Sequence, residues 1–66
     1  MTDKEKQLLK KYIILGLRTL NKQNYLEGLP DPDDQEEQAA FDRSFRVIGR
    51  YIASGDLTEI KEILEY

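Results

Sequence analysis

Between Lys10 and Leu20 the chain reads KKYIILGLRTL, which holds more apolar residues than one face of a helix carries. At about 100° per residue, Leu9, Ile13, Gly16, Leu17 and Leu20 form one stripe. Leu8, Tyr12 and Leu15 make a shoulder beside it, and Ile14 stands alone on the polar side. The resulting arc is roughly 200° wide, against about 100° for an ordinary surface helix. A second helical pattern runs over 35–53, with Phe41, Phe45, Ile48 and Ile52 on its main stripe and Ala40, Val47 and Tyr51 widening it. A third, over 57–65, brings Leu57, Ile60, Ile63 and Leu64 together. The alternation of a half-buried strand is missing throughout.

Each pattern opens on a start signal. Thr2-Asp3-Lys4-Glu5 fits a capping box, in which the Thr2 hydroxyl accepts from the third helical amide and Glu5 reaches back. Asp33 or Asp34 can cap the second helix, with Glu36 and Glu37 in its first turn. Ser54-Gly55 followed by Asp56-Leu57-Thr58-Glu59 reads as a helix stop and an immediate new start. The third helix is too short to persist alone in water and must dock on the others.

Between the long helices lies KQNYLEGLPDPDD. Pro30 and Pro32 disfavour helix at Leu29 and Asp31, and Gly28 can take turn conformations that other residues resist. Tyr25, Leu26 and Leu29 are apolar, so the connection reads as a packed acidic loop and not a linker. The expectation is one all-α domain: an antiparallel helical hairpin of two long helices, about 3–21 and 35–53, joined by the loop at about 22–34. A short helix at about 57–65 folds across the pair.

A chain of 66 residues buries only about 60% of the surface its unfolded form exposes. Domains this small are commonly reinforced by disulfides, metals or oligomerisation. Cysteine and histidine are both missing, which removes disulfides, thiol chemistry, the commonest metal ligand and the usual near-neutral acid–base group. Oligomerisation or unusually good helix packing remains. Neither a secretory leader pattern nor an apolar run of the ~20 residues that span a bilayer is present, so a cytoplasmic protein without a membrane segment is expected. The net charge of −3 is unevenly spread. Residues 1–26 hold six Lys/Arg and two Asp/Glu, residues 27–42 seven acids and no base, and residues 43–66 four of each.

Several features invite chemistry. Asp31 and Asp33 are spaced like the first ligands of a calcium loop, but Gln35, Glu36 and Asp42 stand where that loop needs its fifth ligand, its glycine and its glutamate. Arg43, Arg46 and Arg50 share the polar face of the second helix and could grip phosphate or an acidic partner. A solvated face is the simpler reading, with Asp42 placed to pair Arg46 at i, i+4. A helix-turn-helix reading would make LTEIKEILEY the reading helix, and its three glutamates would repel phosphates. Ser44 and Ser54 have no histidine to activate them. Neither an enzyme, a cofactor, a metal nor a small-molecule substrate is expected, and nucleic-acid binding is disfavoured. Gly16 and Gly49 each cost a helix interior about 1 kcal/mol relative to alanine, which suggests close backbone approach between the long helices or to another chain.

The surplus of apolar surface directs the functional expectation. The chain reads as a small non-enzymatic interaction module that regulates, inhibits or adapts a larger protein, or that pairs with itself as a homodimer. Its expected contact residues are Leu8, Tyr12, Ile14 and Leu15 on the first helix and Val47 and Tyr51 on the second. An alternative is an acidic antagonist that occupies a basic, nucleic-acid-binding surface through Glu27, Asp31, Asp33, Asp34, Glu36 and Glu37. A purely structural subunit is a further alternative.

Overall fold

The computed structural model describes residues 2–20 and 30–66. They form three helices, α1 (Asp3–Leu20), α2 (Gln35–Ser54) and α3 (Thr58–Leu64), so the all-α class and the three elements are as the pattern predicts. The two long helices each have a side-chain cap. The Glu5 amide donates to Thr2 Oγ1 at 3.2 Å, and Asp34 Oδ1 accepts from the amides of Glu36 and Glu37 at 3.0 and 3.2 Å. At the α2 terminus Gly55 takes a left-handed φ of 74° and donates to the Tyr51 carbonyl, a conformation that costs glycine nothing. Asp56 Oδ1 then accepts from the Thr58 amide and hydroxyl at 2.9 and 2.6 Å, so the stop and the new start share one short turn.

The direction of the long helices differs from the antiparallel expectation. Lys4 meets Glu36 at 3.4 Å, Tyr12 meets Phe41 and Gly16 meets Ile48. The partners ascend together along both helices, so α1 and α2 lie side by side and parallel. The signal was the length of the connection. Antiparallel neighbours are joined by about 2–8 residues, whereas the segment between Leu20 and Gln35 is longer. Parallel pairing also gathers two positive helix ends, and Asp3, Glu5, Glu36 and Glu37 in the first turns offset them. From the opposite end α3 runs back against both. Arg50 near the end of α2 binds Glu59 at the start of α3, and Lys6 near the start of α1 lies over the Tyr66 ring at 5.8 Å.

Leu9, Ile13, Val47, Ile48, Ile60 and Ile63 form the core, with Leu17, Tyr51 and Leu64 packed against it. The core draws on all three helices, which is how a seven-residue helix is held. Gly16 permits the closest approach: a Cβ there would overlap the Cδ1 of Ile48.

Candidate functional site

The buried face of α2 is rotated from the stripe that the sequence suggests. Ala40, Ser44, Val47 and Ile48 are buried, whereas Phe45 and Ile52 are 72% and 62% exposed. Small residues at 40 and 44 let a neighbouring helix approach, and the Ser44 hydroxyl is satisfied by donating to the Phe41 carbonyl at 2.7 Å. A buried serine bonded to its own helix looks polar in sequence and is core in the fold. Phe45 and Ile52, two of the four positions of the expected stripe, are thereby turned outward.

The outward stripe consists of Phe41, Phe45, Gly49 and Ile52, which recur at helical spacing along one side of α2. Phe41 is half-buried, with its ring edge-on to Tyr12 at 5.6 Å and tilted against Phe45 at 6.4 Å. Phe41, Asp42, Phe45 and Arg46 line a shallow open depression. Among the described residues a Cβ on Gly49 would meet nothing within 4 Å, so this glycine serves no close contact with them, unlike Gly16.

The expected contact residues are distributed differently. Tyr12 and Val47 are 2% and 1% exposed; they lie inside the molecule and offer no surface on a single chain. Leu8, Leu15 and Tyr51 are half-buried. Ile14 is 37% exposed on the polar side of α1. Leu57, expected inside with α3, precedes that helix and is 40% exposed. The residues that the reading missed are Phe45 and Ile52, and what misled it is their perfect helical spacing with Ile48.

The acidic segment is engaged in local structure. Asp31 Oδ1 accepts from the Asp33 amide, Glu37 Oε2 from the Asp31 amide, and Asp34 caps α2. Glu36 pairs with Lys4. The expectations for Glu27, for the side chain of Leu20 and for Tyr25, Leu26, Gly28 and Leu29 lie outside the described residues. Among the described residues no group of three or more His, Cys, Asp or Glu could hold a metal ion, and no helix is long and apolar enough to cross a membrane.

The arginine row is divided. Arg50 makes a two-pronged bond to Glu59, at 3.0 Å from Nε and 2.8 Å from a terminal nitrogen. Ion pairs among the described residues are this one and Lys4–Glu36, so Asp42 and Arg46 do not form the pair that their spacing suggests. The Arg50 guanidinium holds the Glu59 carboxyl below the usual range through its hydrogen bonds. Hydrogen bonds from Thr58 lower Asp56 in the same sense. Among the described residues the buried Tyr12 hydroxyl makes no hydrogen bond of good geometry, although it faces the Glu37 carboxylate. Burial first, and then the negative charges of Glu37 and Asp34, push its ionisation above the ordinary tyrosine value.

Compared with protein-family models, curated proteins and solved structures, the chain matches none of them.

Proposed function

We propose that this chain is a small non-enzymatic protein-interaction module whose contact face is the outward stripe of α2. The observation that carries this reading is the exposure of Phe45 and Ile52 on one helical side, at 72% and 62%. Large apolar groups grouped this way are costly to leave in water, at about 25 cal/mol per Å², and such patches commonly mark contact sites. An aromatic anchor beside exposed charged residues has the composition of an interface centre with a polar rim. The chemistry offered is apolar contact, with Asp42 and Arg46 setting register at the edge.

A photo-crosslinking benzophenone side chain placed at position 45, in cells that make the protein, tests this. Covalent protein adducts are expected from position 45 and not from a control on α3 at exposed Glu62. Equal labelling from the two positions, or no adduct from position 45, contradicts the reading. The adduct's mass reports whether the contact is another protein or the chain itself.

A further inference from the structure

A surface that pairs with itself must be its own complement, since a two-fold interface uses the same patch on both copies. The outward side of α2 has that property in shape and in charge. Phe45 projects, 72% exposed, and one turn further Gly49 leaves open space where a side chain would stand. The stripe therefore carries both a knob and a gap. Beside it, on one flank, an acid precedes a base by one turn: Asp42, then Arg46. Both are exposed and both line the same depression as the two phenylalanines. Of the other charges of the helix, Glu36 pairs with Lys4 and Arg50 with Glu59, while Arg43 is exposed on a different side from the stripe.

We propose that the stripe docks on the same stripe of a second copy, the two α2 helices crossing antiparallel about a two-fold axis. The proposal rests on the reading of the stripe as a contact face and names its occupant. A crossing centred near Phe45 and Arg46 lays each Phe45 ring beside the partner's Gly49 and brings each Asp42 within reach of the partner's Arg46. Parallel pairing about a two-fold along the helices would set this flank against the partner's opposite flank and leave Asp42 and Arg46 unpaired across the interface. The antiparallel arrangement therefore is the one that brings the charged flanks of both copies together, and Gly49 keeps the gap that the ring needs.

A charge-swap experiment tests the arrangement. Asp42→Arg and Arg46→Asp are prepared separately, and both lie on exposed positions, so far-UV circular dichroism should match the parent chain. Sedimentation equilibrium of the parent is expected to show a monomer–dimer equilibrium. Each single variant should self-associate at least about tenfold more weakly, because both copies then carry two bases in the one variant and two acids in the other. Mixed in equal amounts they should pair with each other, within about threefold of the parent affinity, since both cross-contacts are again opposite in charge. Gly49→Leu should weaken pairing in the same assay by filling the gap. A parent that stays monomeric at millimolar concentration overturns self-pairing, as does a mixture no stronger than its components. If such a monomer still gives heavier adducts from position 45, the contact-face reading survives and a different protein is the occupant. If position 45 gives no adduct, both readings fail together.

Discussion

The two interior glycines of the long helices look alike in sequence and differ in what they touch. Gly16 faces Ile48, whereas Gly49 faces open space. Gly49→Ala should therefore stabilise the dilute chain by up to about 1 kcal/mol through helix propensity alone. Gly16→Ala gains the same propensity but must displace the Ile48 methyl, so it should gain nothing or lose stability, and Ile48→Val should relieve the loss. Denaturant midpoints of the two alanine variants and the double variant check both statements. Tyr12 makes a different case. Its buried hydroxyl makes no hydrogen bond of good geometry to the described residues, and a buried polar group left unpaired costs about 1–3 kcal/mol. Tyr12→Phe should leave stability at neutral pH unchanged or raise it. The raised ionisation of Tyr12 also has a sign in alkali. Below the unfolded value of about 10 both states keep the proton. Above it the unfolded chain ionises first, so stability falls as pH rises towards the folded value. The phenylalanine variant should lack that alkaline loss in a pH series of unfolding midpoints.

At the level of elements, the caps and helix boundaries were legible because they depend on neighbours in sequence. Thr2, Asp34 and Gly55 act where their local patterns place them. The buried side of α2 was not legible, because it depends on which of two apolar arcs meets another helix. Ser44 concealed the answer by satisfying its hydroxyl on its own backbone. The docking of α3 shows what a short element requires. Ile60 and Ile63 are 2% and 3% exposed, and Ile60→Ala should cost about 2–5 kcal/mol, with loss of helical signal if α3 undocks. The polar hold on α3 depends on pH. Asp56 and Glu59 have folded values held below the unfolded ones of about 3.9 and 4.3. Their contribution is therefore complete above those values and is lost as pH falls through the folded ones. Unfolding midpoints should decline in acid below about pH 4. Asp56→Asn, which can still accept from Thr58 but does not titrate, should flatten part of that decline.

At the scale of the whole molecule, the wide apolar arc of α1 is accounted for by two neighbours on different sides. α2 covers one flank through Gly16 and Ile48, and α3 joins Leu9 and Ile13 in the core. Of the apolar surplus that the sequence announced on both long helices, the most exposed part stands on α2, at Phe45 and Ile52. The absence of strand patterning and the three periodic segments were enough to read the class. The parallel direction of α1 and α2 was available only from the length of their connection, a weaker signal than side-chain periodicity. The outward stripe of Phe45 and Ile52 depended on that packing, and so it too escaped the sequence.

The most direct measurement is the equilibrium unfolding, in dilute solution, of a Phe45→Ser, Ile52→Ser variant. If the stripe faces outward on the single chain, its free energy of unfolding should lie within about 1 kcal/mol of the parent, as for exposed substitutions. If these side chains are core, as their spacing in the sequence suggests, the double change should cost several kcal/mol, on the scale of about 2–5 for each truncated core residue, and the proposed contact face would not exist.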